Sequence, residues 1–287
     1  MTELPERYSQ LREADDVAWT VPPSLAAAAS GELRAEPRGA LYGETAQAFA
    51  LDAPMSVAYG MRWNSLDLPG YTVYDARLAL SADMEVNDPD EWVAYLGRVL
   101  DPASSGDTEA ILQVRADLIR ACGGELPAGW VAEMHDWLTR TDQDGAHDRL
   151  DELAPAITEV DRWLTESGLL SPGSHVATVT GYQAGHAIYM TRLGAKAGYA
   201  DHAAVTQALL AARDLVATGC ASWHEHAVSL VAGAALMART DHARTRFDAA
   251  VSGAATCLID PDSPWRVLRF PIADITIDDL EEQSWDF

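Results

Sequence analysis

The helical spacing of apolar residues between positions 180 and 238 constrains the fold of this chain most strongly. Three consecutive segments, 180–197, 202–217 and 223–238, each repeat small or apolar residues every three or four positions, which places these residues on one face of an α-helix. Because short loops join the three segments, they predict an antiparallel helical array, with a fourth helix at 241–257. The three stripes are Ala184, Ala187, Ile188, Thr191 and Ala195; Val205, Ala208, Leu209, Ala212 and Val216; and Ala227, Leu230, Val231, Ala234 and Ala238.

The rest of the chain also shows mostly helical patterns. Asp88, Pro89 and Glu91 form a helix-start signal, since Asp88 can cap, proline suits the first helical position and Glu91 can complete a capping box. Ser24 is expected to cap a helix through the following alanines, and further helices are expected at 4–15, 107–122, 128–140 and 156–168. Residues 265–272 are expected to form a short strand or an extended docking segment. The predicted fold class is all-α, a multi-helix globular domain.

Breaks in the apolar pattern predict four regions. Residues 1–140 form a less regular helical N-terminal region, and residues 141–155 form a polar acidic loop or linker. Residues 156–273 form the C-terminal helical region, and residues 274–287 form an acidic tail.

The charge balance limits the classes of partner. The chain has 44 acidic and 20 basic residues, a formal net charge of −24. Binding to nucleic acid or to an anionic membrane needs clustered cations, so both are disfavoured, whereas a basic protein would be attracted. No signal-peptide pattern opens the sequence, and no apolar run approaches the roughly 20 residues that span a bilayer. We therefore expect a cytoplasmic protein, with its three separated cysteines reduced and buried.

The segment from Gly181 to Met237, together with EVNDPDEWVAYLGRVLD, resembles a bacterial family of domains of unknown function that includes the enterobacterial YbeU-like proteins. The matching features are the Gly198-Tyr199 turn, the Ser222-Trp223 helix start and Gly233 near the helix end. The resemblance implies a shared fold and a bacterial source, but no activity. Uncharged residues stand where the family carries charged ones, so a site formed by those charges would be altered here; the residues are Gln183, His186 and Ala234.

Candidate binding residues come from the aromatic and histidine pattern of the C-terminal helices. His186 lies among Tyr182 and Tyr189, so it is the candidate general base or ligand contact, although a packed core histidine is the commoner role. Trp223 and His224 are further binding candidates at a helix start. Because His224 and His226 point about 200° apart on a helix, we predict no metal site, and no motif indicates a cofactor.

Three functions remain open at this point. The charge, the nine dispersed tryptophans and the lack of catalytic motifs favour an acidic protein-interaction module, for example an immunity-like or inhibitory protein directed at a basic partner, rather than an enzyme. The first alternative is an enzyme or small-molecule binder with a pocket around Tyr182, His186 and Tyr189. The second is a structural subunit of a larger assembly.

Overall fold

The structure is a computed structural model that describes residues 21–101, 106–140, 147–238 and 242–271. Over these ranges the chain forms thirteen helices and no strand, which confirms the all-α class. An isolated bridge pairs Arg34 with Arg62. The helices are α1 (Pro23–Ala28), α2 (Gly43–Leu51), α3 (Ala53–Ala58), α4 (Val73–Met84), α5 (Pro89–Leu100), α6 (Gly106–Ala121), α7 (Trp130–Arg140), α8 (His147–Ser167), α9 (Thr180–Ala197), α10 (His202–Gly219), α11 (Trp223–Leu236), α12 (Ala243–Ile259) and α13 (Pro264–Val267).

The expected helix starts at Asp88 and Ser222 are present. The Asp88 carboxylate accepts a 2.9 Å hydrogen bond from the Glu91 backbone N–H, and Pro89 occupies the first turn of α5. The Ser222 hydroxyl likewise accepts from the Glu225 backbone N–H at 3.1 Å. Each cap satisfies one of the backbone donors that the first turn of a helix leaves without a partner.

The structure corrects three local predictions, in whole or in part. Ser24 does not cap α1, because the cap position falls on Pro22 and the Ser24 hydroxyl instead donates to the Ser167 carbonyl, 143 residues away. For residues 265–272, predicted to be a short strand or an extended docking segment, the structure describes residues 265–271. Residues 265–267 belong to a short helix, α13, which Ser263 caps, and the backbone becomes extended only at Leu268. Cys122 is also exposed, whereas Cys220 and Cys257 are buried as expected.

The segments at the predicted region boundaries are partly described. Helix α8 already begins at His147, so residues 147–155 of the polar segment are helical. The helix expected at 4–15 and the acidic tail at 274–287 lie outside the described residues. The division into four regions and the antiparallel course of the C-terminal helices stay predictions.

Helix α9 lies at the centre of the fold. It packs against α10 and α11 from the C-terminal region and against α2, α4 and α5 from the N-terminal region. Glycines on both sides of these contacts permit two very close approaches. A Cβ on Gly194 of α9 would lie 2.2 Å from the Trp92 indole nitrogen, and a Cβ on Gly233 of α11 would lie 2.2 Å from the Tyr182 Cβ. The Trp92 indole also donates a 3.0 Å hydrogen bond to the Met190 carbonyl of α9. Close packing at small residues thus fixes α5 and α11 on α9.

Candidate functional site

Tyr182, His186 and Tyr189 form one stripe along α9, spaced four and three residues apart, and all three are partly buried. Neighbouring elements add three more tyrosines: Tyr95 from α5, Tyr71 before α4 and Tyr59 after α3. We call these six residues the tyrosine cluster. The helical spacing in the sequence indicated the three α9 residues. The other three lie 87 to 130 residues earlier in the chain, where no local pattern points to them.

His186 is held between two tyrosines. Its Nε2 atom lies 2.9 Å from the Tyr95 hydroxyl, and its ring stacks on Tyr182 with centroids 6.1 Å apart. Burial lowers the pKa of His186 to about 4, so the imidazole is neutral at pH 7. Its hydrogen-bond partner is a hydroxyl rather than a carboxylate or guanidinium, which differs from the usual setting of a general base.

The hydroxyls of Tyr95, Tyr182 and Tyr189 stay protonated at neutral pH. Burial raises the pKa of Tyr95 and of Tyr182, and burial together with the neighbouring Tyr71 hydroxyl raises the pKa of Tyr189. Two exposed arginines lie at the rim of the tyrosine cluster. The Arg246 guanidinium donates a 3.2 Å hydrogen bond to the Tyr59 hydroxyl, and the Arg98 guanidinium lies 5.6 Å from the Tyr95 ring centroid.

A buried ion pair lies against the same helix. Arg192 Nη1 donates to Asp52 Oδ2 at 2.7 Å and to Ser56 Oγ at 2.8 Å, and Arg192 Nη2 donates to the Trp63 carbonyl at 2.8 Å. Both charged side chains are fully buried. Burial raises the pKa of Asp52 to about 7, although Arg192 favours the ionised carboxylate. This pair was not predicted from the sequence. The available signal was Arg192 itself, because an arginine within a mostly apolar helix needs a buried partner.

The second Asp52 oxygen, Oδ1, is buried and has no hydrogen-bond partner in the structure. It lies 3.8 Å from the position that a Cβ on Gly185 would occupy, next to His186 and one turn before Tyr189. The free oxygen therefore lies against α9 at Gly185.

Trp223 and His224 lie elsewhere on α11. Trp223 is buried and stacks on Trp265 with centroids 5.4 Å apart, and its indole donates to the Leu268 carbonyl at 3.0 Å. Tyr182 contacts α11 at Gly233, ten residues further on, or roughly 15 Å along the helix. The structure does not bring Trp223 and His224 together with the three α9 candidates.

The histidines of α11 diverge as the helix geometry predicts. His226 is fully buried, and its Nε2 atom lies 2.9 Å from the Leu51 carbonyl oxygen, whereas His224 is partly exposed. Within the described ranges, no group of three or more His, Cys, Asp and Glu side chains is arranged to hold a metal ion.

An exposed apolar face adjoins the tyrosine cluster. We call Tyr71, Val73, Tyr74 and Leu78 the α4 face; Tyr74 is 72% exposed and Leu78 is 51% exposed. Tyr59, at 57% exposure, adds to the apolar surface of the neighbouring cluster. The sequence from residue 59 to residue 101 carries eight acidic residues and three arginines, so the face lies in an acidic part of the chain. Large exposed aromatic side chains near charged residues are typical of protein-interaction surfaces.

The fold and site define an all-α protein built around a central, glycine-containing helix, α9. Residues 79–270, more than half of the chain, match a family of proteins of unknown function, DUF1266. The chain belongs to this family. The matched segment includes Tyr95 and the α9 stripe, whereas Asp52 and the α4 face precede it. No curated protein and no solved structure matches the chain. None of the helices in the described ranges is both long and apolar enough to cross a membrane.

Proposed function

We propose that the protein is an acidic interaction module whose α4 face binds a basic protein partner. The observation that carries the proposal is the exposure of Tyr74 and Leu78 one helical turn apart, with Tyr71 and Val73 beside them. Tyrosine supplies a large, rigid contact area at low entropic cost, which makes it frequent at binding hot spots.

Charge supports a basic partner. Asp75 and Asp83 lie on α4 itself, Asp67 precedes the helix and Glu85 follows it. With a net charge of −24 for the whole chain, the long-range field attracts a cation-rich surface and repels an acidic one. An immunity-like or inhibitory role toward such a partner is the specific form that we propose. A cytoplasmic location, a bacterial source and a relationship to the YbeU-like proteins belong to the same proposal.

A paired-variant pull-down from the native host tests this function. The tagged protein is used as the wild type, as the double variant Tyr74→Ser with Leu78→Ser, and as Val267→Ser, which removes an exposed apolar side chain on α13. We expect the wild type and Val267→Ser to retain the same basic protein at low salt and to release it at high salt. The double variant should lose it while keeping its helical circular dichroism. Equal retention by all three forms, or retention of no basic protein, contradicts the proposal.

The tyrosine cluster favours a second candidate function, that of a small-molecule binder or enzyme. The supporting observation is the contact of the neutral, partly buried His186 with two partly buried tyrosines, Tyr95 and Tyr182. Mass spectrometry of small molecules released from the native protein tests this candidate. A stoichiometric molecule retained by the wild type and lost on Tyr189→Leu supports it, and a ligand-free native protein contradicts it.

A further inference from the structure

We propose that the basic partner binds the α4 face with an amphipathic α-helix, and that the basic end of this helix lies over Asp83 and Glu85. In this complex, Tyr74 and Leu78 contact the apolar residues of the partner helix. This inference rests on the proposed function, the binding of a basic protein, and names the element that the partner presents.

The exposed apolar side chains of α4 follow the repeat of a helix. Tyr74 and Leu78 lie four residues apart, or about 6 Å along the helix axis, close to the pitch of about 5.4 Å that separates successive turns of a second helix. A polyproline segment repeats every three residues, or about 9 Å, and fits this spacing less well. Side chains on successive turns of a partner helix can therefore pack against both residues.

Ser81 and Ala82 continue the same face of α4 toward its C-terminal end. Both are exposed and small, so the surface is lower here than at Tyr74 and Leu78. A large apolar side chain of a partner helix fits beside Leu78 over Ala82, as a ridge fits into a groove. Within the described ranges the chain forms no strand, so no sheet edge there can pair with an extended partner.

The C-terminal end of α4 concentrates negative charge. A helix carries partial negative charge at its C-terminus, where basic side chains are the favourable neighbours. Helix α4 has no basic residue in its last turn; Asp83 lies there instead, and Glu85 follows at the C-cap. Both residues are exposed. A cationic side chain of a partner would therefore relieve an unfavourable arrangement of charges.

The arginine of α4 does not supply this cation. Arg77 Nε donates a 3.0 Å hydrogen bond to the Ala197 carbonyl, and its guanidinium lies 5.5 Å from the Tyr199 ring centroid. Asp83 lies five residues beyond Leu78, or about 8 Å along the helix axis. The partner helix should therefore carry its basic residues one to two turns beyond its apolar ones, at one end only.

The test is the binding of synthetic peptides to the full chain, measured by fluorescence anisotropy at low and high salt. The first peptide is a helix-forming sequence of about 18 residues with leucines one turn apart in one half and lysines in the other, made in both chain directions. The second has the same composition with its lysines spread over both halves, and the third has glutamates in place of the lysines.

We expect the first peptide, in one of its two directions, to bind at least about tenfold tighter than the second and the third at low salt. Binding should raise the helical circular dichroism of the peptide and should weaken at high salt. A central proline interrupts a helix, so a first peptide that contains one should bind at least about tenfold more weakly.

Two double variants locate the bound peptide. Tyr74→Ser with Leu78→Ser removes the apolar contacts and should weaken binding of the first peptide at least about tenfold. Asp83→Asn with Glu85→Gln should remove the advantage of the first peptide over the second. Because these acids are unfavourable at the end of a helix, their replacement should not lower the temperature of thermal unfolding, so a loss of binding does not reflect unfolding.

The matched control is Glu125→Gln with Glu133→Gln, which removes the same charge from two exposed acids outside α4. It should change binding of the first peptide less than about twofold, because exposed charges beyond a Debye length are screened. Equal weakening by this control and by Asp83→Asn with Glu85→Gln would mean attraction by net charge alone and would overturn the inference. Equal binding of the first and second peptides, undiminished binding of the proline peptide, or no binding of any peptide overturns it as well.

The pull-down from the native host separates this inference from the function on which it rests. If Tyr74→Ser with Leu78→Ser releases the basic partner, but the peptides show no preference for helix or for a basic end, the proposed function stands and the helical element fails. If the wild type retains no basic protein and binds no peptide, both fail.

Discussion

Asp52 and Arg192 are 140 residues apart in the sequence and form a 2.7 Å ion pair in which both side chains are fully buried. The pair joins the α2–α3 junction to the central helix α9, and the same guanidinium reaches Ser56 and the Trp63 carbonyl. One side chain therefore connects three separate points of the N-terminal region to the centre of the fold.

Removing one member of this pair should destabilise the protein strongly. Asp52→Ala leaves the Arg192 charge buried without its counter-ion, so we expect the free energy of unfolding to fall by about 3–5 kcal/mol. Urea denaturation followed by circular dichroism measures the change. The control is Asp67→Ala, which removes a carboxylate 3.4 Å from Lys196 in an exposed pair and should cost less than about 1 kcal/mol. Equal losses in the two variants would show that the buried pair has no special structural role.

Close packing at Gly194 gives a second prediction. A Cβ there would lie 2.2 Å from the Trp92 indole nitrogen, so Gly194→Ala must displace α5 from α9 and should cost about 1–3 kcal/mol. The matched control is Gly97→Ala on the exposed side of α5, where an added Cβ meets no atom within 4 Å. This second change should stabilise the protein by up to about 1 kcal/mol, because alanine favours helix more than glycine does. Thermal unfolding of both variants tests the contrast, and a neutral Gly194→Ala would contradict the close approach.

The buried His226 predicts a dependence of stability on pH. Burial lowers its pKa to about 4 in the folded protein, despite the hydrogen bond with the Leu51 carbonyl, whereas the unfolded chain takes up a proton near pH 6.5. The unfolded state therefore binds more protons between these values, and the folded state loses stability as pH falls from 6.5 toward 4. Over the whole interval the loss is about 3 kcal/mol.

Other groups titrate in the same pH interval, so the contribution of His226 has to be measured as a difference in stability between the wild type and a His226 variant. Burial lowers the pKa of His186 in the same direction, whereas the raised pKa of Asp52 acts in the opposite direction. The free energy of unfolding of the wild type and of His226→Gln is compared between pH 7.5 and pH 5. It should fall less steeply on acidification in the variant than in the wild type. Identical slopes for the wild type and His226→Gln would refute the prediction.

Local sequence signals predicted local structure well. The 3.6-residue period indicated α9, α10 and α11, and Asp88 with Pro89 marked the start of α5, because these features depend on residues within one or two turns. Prediction failed where a partner from a distant segment decided the outcome. Ser24 bonds to Ser167 instead of capping its helix, and the buried pair of Asp52 with Arg192 depends on how the α2–α3 junction packs against α9. Of the tyrosine cluster, only the stripe on α9 had a periodic signal.

His175 shows the same limit of local reasoning. The residues beside it in the sequence, Ser174 and Val176, offer no charged partner, yet its Nδ1 lies 3.1 Å from Asp161 Oδ2 on α8. Asp161 also binds the Arg115 guanidinium of α6 at 2.7 Å and accepts from the Val176 backbone N–H at 3.0 Å. Burial opposes the ionisation of Asp161, but these hydrogen bonds outweigh it and hold its pKa below the ordinary value. Asp161 on α8 thus binds His175 and Val176, in the segment that precedes α9.

Asp161→Asn should therefore loosen this segment as well as lower stability. The amide cannot neutralise the buried Arg115 charge, so we expect a loss of about 3 kcal/mol in the free energy of unfolding. Hydrogen exchange of the Val176 amide should become at least about tenfold faster, even under conditions where the rest of α9 stays protected. Asp117→Asn, which breaks the exposed pair with Arg120, should leave that exchange rate unchanged. If Val176 exchanges at the wild-type rate in Asp161→Asn, the backbone around residue 176 is held by packing, and the carboxylate serves only to balance the charge of Arg115.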